Sequence, residues 1–211
     1  MKRFALCVLL AANLVALPAR ADEFESQWYG GLGLGLVNFS VNKGSVPALS
    51  ATSSVNSNSY NLNAFAGYQF DPFLGFELDY LGGGSVTASS LGQTSKLFNV
   101  ALTTISATMG TPLNDNVRIY AKLGGTFWKF SSQRSVAMND GFGPSAGLGV
   151  DVNLYGNSER KLRIEYNYYH LDNVYVKNAG SLNINAIFYL PSTQKRGAER
   201  LTSQEGERKW Q

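Results

Sequence analysis

The stretch Val117-Arg118-Ile119-Tyr120-Ala121-Lys122-Leu123-Gly124-Gly125-Thr126-Phe127-Trp128 decides the fold. Read with a period of two, Val117, Ile119, Ala121 and Leu123 share one face while Arg118, Tyr120, Lys122 and Gly124 share the other, the alternation of a β-strand. Two cations on one strand of a chain that is only 16% charged need either bulk water or a polar interior. Neighbouring segments favour the interior. Leu74, Phe76, Leu78 and Tyr80 alternate with Gly75, Glu77 and Asp79, and Leu162, Ile164, Tyr166 and Tyr168 alternate with Arg163, Glu165 and Asn167. Acids on some strands and bases on others point to a shared polar lumen.

Working back to the start, Met1-Lys2-Arg3, an apolar run from Phe4 to Val15 and Leu17-Pro18-Ala19-Arg20-Ala21 have the charged, apolar and small-residue regions of a secretory signal peptide. Residues 1–21 are therefore expected to be removed, and Cys7, the single cysteine, leaves with them. The remainder then has no disulfide or thiolate chemistry. Cleavage also takes three of the 18 bases and none of the 15 acids, which leaves about 190 residues with a formal net charge of zero, enough for one domain. Without a basic footprint, nucleic acid is not an expected partner.

In chain order, the glycine-spaced run of residues 27–41 alternates through Leu32, Leu34 and Leu36 and changes parity at Val37, where a bulge or the membrane edge is expected. Residues 42–59, 83–95, 131–140 and 172–178 read as polar loops. Between them lie further alternating segments: Tyr60 to Phe70, the Glu77 strand, residues 96–109, the Arg118 strand, residues 145–154, the Arg163 strand and residues 181–190. The segment 96–109 has two mixed faces and takes its place by position alone. Eight strands joined alternately by long loops and short turns give an up-and-down antiparallel barrel, all-β, with both termini at one end.

The apolar face is nearly uncharged, whereas a soluble ligand-binding barrel would carry Lys and Glu outside. An eight-stranded barrel has room only for its own side chains. The polar set, Glu77, Asp79, Arg118, Lys122, Asp151, Arg163 and Glu165, therefore goes inside and the apolar set faces lipid. Aromatic residues at strand ends, including Trp28, Tyr29, Phe70, Phe73, Trp128, Tyr169 and Phe188, read as interfacial girdles.

Leu74-Gly75-Phe76-Glu77-Leu78, the Ile-Tyr-x-x-Leu-Gly-Gly core of residues 117–128, and Leu162-Arg163-Ile164-Glu165-Tyr166 resemble strands of the OmpA-type transmembrane domain of bacterial outer-membrane proteins. The resemblance implies an eight-stranded outer-membrane barrel over residues 22–190, in a Gram-negative envelope, with loops outside the cell and termini in the periplasm. It implies a salt-bridge network in place of an open pore, at Glu77, Lys122, Arg163 and Glu165, with Arg118 beside them. Outer-membrane lipid and lipopolysaccharide are the implied surroundings. Residues 183–190 resemble the signal read by the barrel-assembly machinery. The family's best-known members continue into a peptidoglycan-binding domain, whereas residues 191–211 here read as a polar, disordered periplasmic tail.

Enzymatic chemistry finds no purchase in the sequence. His170, the single histidine, is followed two positions on by Asp172, where the lipid A deacylases that it resembles in placement have a nucleophilic serine. One His and scattered acids make no metal-ligand cluster, and the glycine runs lack the following helix of a dinucleotide loop. No cofactor is expected. The expected function is a structural or surface-interaction role for the polar loops, toward a host or envelope protein. A narrow porin-like channel is the alternative, and acyl hydrolysis a more distant one.

Overall fold

The computed structural model describes residues 26–42, 54–90, 93–132, 140–154, 157–173 and 175–190; the expected signal peptide and tail fall outside the described residues. Among the described residues nine strands follow one another: β1 Gln27–Val41, β2 Ser54–Asn56, β3 Asn58–Gln69, β4 Leu74–Ser90, β5 Gln93–Asn114, β6 Val117–Ser132, β7 Gly141–Leu154, β8 Asn157–His170 and β9 Val176–Tyr189. All but β2 form an antiparallel wall in the order β4-β3-β1-β9-β8-β7-β6-β5, and pairing of β4 with β5 closes it. Closure leaves no wall strand with an unpaired edge, which is the condition for a sheet surrounded by hydrocarbon. No described helix is long and apolar enough to cross a membrane.

At one end the connections are short and made by side chains that imitate backbone. Asp71 Oδ1 accepts from the amides of Phe73 and Leu74, each at 2.7 Å, and Asn114 Oδ1 accepts from those of Asn116 and Val117, each at 2.9 Å. This is the short-turn end. The opposite, long-loop end is where the strands overrun the expected loops. Residues 83–95, expected as a loop, are mostly paired: β4 and β5 remain partners from Gly84–Val100 out to Ser90–Gln93, with one register shift between Val86 and Thr87. Gly83, at φ 88°, supplies the left-handed bulge that the register shift between Leu81 and Gly84 requires. Beyond it Val86 and Ala88 turn inward while Thr87 and Ser89 take the other parity, so a serine- and threonine-rich composition conceals a strand. β9 likewise starts at Val176, inside the expected fourth loop.

The outer face of the wall is apolar where the sequence places it. Leu34, Leu62, Leu78, Ile105, Leu123, Leu148, Ile164 and Ile184 are exposed on successive strands. From Trp28 to Leu36 on tilted β1, this band is about 20 Å tall. Trp28, Tyr68, Phe70 and Phe76 interlock at its short-turn edge with ring centroids 4.9–6.2 Å apart. Phe127 and Phe142, 4.7 Å apart, mark the opposite edge.

Three residues expected in the girdles sit elsewhere. Tyr29, Trp128 and Tyr169 are 4%, 6% and 3% exposed and point into the barrel. Each has the lumen parity, and Trp128 lies four residues short of the end of β6. Trp28, Phe70 and Phe188 are on the lipid side, and Phe73 lies half-buried in the Asp71 turn.

Of the two origins expected for the parity change at Val37, a bulge or the membrane edge, the register excludes the bulge. β1 stays in unbroken register with β3 from Gln27–Gln69 to Asn38–Asn58, so Val37 is on the same face as Gly33 and Gly35. What changes is the chemistry of the two faces. Below Val37 the lumen side is polar and the outside apolar; above it Val37 and Phe39 are buried inside while Asn38 and Ser40 are exposed. The same inversion explains the mixed faces of β5, whose inward row runs Phe98, Val100, Leu102 and then Thr104, Ser106, Thr108.

Candidate functional site

Seven charged side chains converge in the lumen from four strands. Glu77 and Asp79 come from β4, Arg118 and Lys122 from β6, Asp151 from β7, and Arg163 and Glu165 from β8; each is at most 9% exposed. The period of two puts all seven on the inner face.

Lys122 Nζ is the first hub. It donates to Glu77 Oε1, lies 2.8 Å from Glu165 Oε2, and reaches Asp79 Oδ1 at 3.2 Å. Arg163 is the second. Its Nε and Nη2 hold Asp151 in a fork at 2.7 and 3.2 Å, and Nη1 donates to Glu77 Oε2 at 2.6 Å. Glu77 thus bridges the hubs with one oxygen on each. Parity leaves Arg163 with Glu165 or another lumen acid; its close partners are the other acids, Asp151 and Glu77, while Glu165 stands 4.0 Å from the guanidinium and lies against Lys122. Arg118 is peripheral: Nη1 is 3.6 Å from Asp151, and Nε donates to the Pro72 carbonyl at the short-turn end.

Two tyrosines that sequence reasoning did not assign to this network complete it. Tyr29 donates its hydroxyl to Glu77 Oε2 at 2.8 Å, and Tyr120 donates to Glu165 Oε2 at 2.7 Å. Each crosses an intervening strand to do so. Tyr29 on β1 pairs with Gly67 on β3, which pairs with Glu77 on β4; Tyr120 on β6 pairs with Gly149 on β7, which pairs with Glu165 on β8. The ring occupies the space that a side chain on the middle strand would fill. A Cβ at Gly67 would stand 2.4 Å from Tyr29 Cζ, and one at Gly149 would stand 2.3 Å from the Tyr120 hydroxyl. An inward tyrosine, an inward glycine and an inward glutamate in register on three consecutive strands were the signal for this arrangement. The Tyr120 and Phe65 rings also cover Arg163, whose Cζ lies 4.5 Å from the first centroid and 4.9 Å from the second.

This geometry carries a prediction. Gly149→Ala will push the Tyr120 ring aside and remove its bond to the charged Glu165, at a cost of about 1.5–3 kcal/mol in urea unfolding from detergent. Tyr120→Phe will cost a similar amount, and the double variant will fall well short of the sum, because both changes remove one bond.

Toward the long-loop end lies a neutral polar layer in which Thr104 and Thr126 share a hydrogen bond of 2.7 Å. A cavity of about 10 Å³ lies between this layer and the cluster, lined by Asp79, Thr104, Ser106, Lys122, Asn167 and Tyr169 among others. That is room for about one water. On the β1 side, Gly33 and Gly35 are each flanked in register by two asparagines, Asn63 and Asn185, and Asn61 and Asn183. The carboxamides of Asn61, Asn63 and Asn185 are buried with no hydrogen-bond partner among the described residues.

His170 is exposed on the outer wall, with Nδ1 2.9 Å from Asn178 Oδ1. Among the described residues no group of His, Cys, Asp and Glu is arranged to hold a metal ion. The space between the lumen carboxylates is filled by Lys122 and Arg163.

The family model for the outer membrane protein beta-barrel domain matches residues 7–188. Outer membrane protein A of Klebsiella aerogenes is 28% identical over 171 residues, 80% of this chain and 48% of that protein. Outer membrane protein A of Shigella flexneri is 31% identical over 138 residues, 64% of this chain and 38% of that one. The chain thus spans about half the length of these relatives, or less. Among solved structures, OprG of Pseudomonas aeruginosa superposes with a TM-score of 0.58 at 15% identity, covering 79% of this chain and 97% of OprG. Neisserial surface protein A gives 0.57 at 15% identity, over 78% and 99% of the two chains, and Ail of Yersinia pestis 0.53 at 18%, over 79% and 100%. Those likenesses are of fold. With the closed eight-stranded wall, its lipid-suited band and the family match over most of the sequence, the chain belongs to the outer membrane protein beta-barrel domain family and resides in the bacterial outer membrane.

Proposed function

We propose that this barrel is a non-enzymatic surface protein, closed through its lumen, that anchors its long-loop end outside the cell and keeps its short turns and both ends of the wall on the periplasmic side. The observation that carries this reading is the filled interior: Lys122 and Arg163 engage carboxylates from three strands, and the void beside them is the size of one water. A lumen so filled supports a structural role, and leaves the partner-facing work to the loops, where binding function concentrates in proteins built on a rigid scaffold. Contact with a host or envelope protein belongs to residues 43–53 and 133–139, which lie outside the described residues. Lys129 and Lys177, exposed at the long-loop end, suit the phosphates of lipopolysaccharide. Residues 183–190 supply the signal for the barrel-assembly machinery.

His170 supports no hydrolase role. Its described side-chain partner is the amide of Asn178, and Asp172, two residues on, offers no hydroxyl as attacking atom.

The narrow-channel reading has one observation in its favour. Unpartnered carboxamides on β3 and β9 call for water beside β1. Planar-bilayer recording of the refolded protein separates the two readings: a closed barrel shows no steady conductance, and a steady small current replaces the structural reading with the channel. Orientation is tested apart from this. Protease added to intact cells will cut within residues 43–53 and spare the Asp71 turn; cleavage at Asp71-Pro72 with the envelope intact reverses the topology.

A further inference from the structure

Above the ionic cluster the barrel turns inside out. On β1, β4, β5, β6, β8 and β9 the inward row changes from polar or absent side chains to apolar ones, giving a buried cluster that includes Val37, Leu81, Val86, Phe98, Leu102 and Trp128. Phe98 meets Phe130 edge to face, with centroids 5.6 Å apart. On the outside the opposite change occurs at the same level. Leu36 gives way to Asn38, Tyr60 to Asn58, Phe127 to Lys129 and Tyr168 to His170, all exposed. A charge on the lipid face costs roughly 2–4 kcal/mol at the bilayer midplane and almost nothing at its edge. Lys129 and its neighbours therefore place this part of the wall outside the hydrocarbon. With water around it, an apolar interior is what holds a β-structure together. An apolar constriction also excludes water and ions from its axis.

We propose that the barrel continues beyond the bilayer as a dry-cored collar, and that this collar seals the lumen independently of the ionic cluster. Opening the Lys122 and Arg163 contacts alone then makes no pore, because the path still ends at Leu102 and Trp128. The inference deepens the closed-lumen reading and fails separately from it.

Trp128 reports on the collar directly. The sequence has three tryptophans, and Trp28→Phe with Trp210→Phe leaves Trp128 as the single tryptophan emitter. In lipid vesicles its fluorescence will be quenched by acrylamide several-fold less than in the urea-unfolded chain, and brominated lipid will barely quench it. Strong acrylamide quenching means that the collar is wet and overturns the proposal, even if the parent protein does not conduct and the ionic closure stands. Strong quenching by brominated lipid puts this level inside the bilayer and overturns it too. In a planar bilayer Lys122→Ala will conduct no more than the parent; a steady new current from that single change removes the second seal.

Discussion

Lys122→Ala will lower the stability of the barrel by about 3–5 kcal/mol, the usual cost of stripping one partner from a buried ion pair. Lys122 is the cation in contact with Glu77, Asp79 and Glu165 at once, so its loss leaves three carboxylates close together with Arg163 as the remaining hub. Glu77→Ala will fall in the same range, since it leaves both hubs short of an acceptor. The double variant will be less destabilised than the sum, because the pair is removed together. Magnitude decides between a packed lumen and a water-filled one. Solvated pairs contribute about 0–1 kcal/mol, so urea midpoints in detergent that hardly move for either single variant would show that the cluster is hydrated and does not hold the barrel shut.

How much of this network the sequence disclosed depends on where each residue lies along its strand. Glu77, Lys122, Asp151, Arg163 and Glu165 lie inside their strands and Arg118 at the start of β6, all where the apolar and polar faces alternate without interruption, and parity alone placed them inside. Parity could not assign partners. Arg163 and Glu165 are two apart on one strand and look like a pair, yet the shared acceptor of Arg163 is Glu77, 86 residues away, brought beside it by closure of the wall. The tyrosines were hidden for another reason. Tyr29 was sorted by its closeness to a strand end, which is a statement about height and not about face, and Tyr120 was counted as polar without being given a role. Their signal is relational, since it exists only once the register of three strands is known.

The long-loop end was the least legible part, and one physical cause accounts for most of it. Reading alternation as lipid outside and polar inside assumes a single solvent around the strand. Above Leu36 and Phe127 the solvent changes, so Val37, Phe98 and Trp128 have lumen parity with the chemistry that elsewhere marks the outer face. A reader holding to one rule is left with a bulge or the membrane edge at Val37, a β5 placed by position alone and a girdle residue at Trp128. Together they trace one boundary. The serine- and threonine-rich run after Gly83 fails for the same reason, because the outward face of a strand in water carries the residues that composition assigns to loops.

Ile184→Arg will be the largest single disturbance of the outer wall, and its depth dependence will map that boundary. Ile184 on β9 is paired in register with Ile164 on β8 and Leu34 on β1, all three exposed in the middle of the apolar band. Arginine there has no lumen partner to reach, because its side chain leaves the wall on the lipid side, and the expected cost is about 2–4 kcal/mol. Asn58→Arg, on the outer face of β3 at collar height, will cost about 0–1 kcal/mol, since a position in water or at the interface leaves the guanidinium hydrated. The ratio between the two matters more than either value. If both substitutions are equally harmful, hydrocarbon reaches Asn58 and the apolar band is taller than the wall chemistry shows. If both are harmless, the exposed leucines and isoleucines do not face lipid. Only a steep fall between Ile184 and Asn58, measured as urea stability in vesicles, agrees with a band that ends near Leu36 and Tyr60.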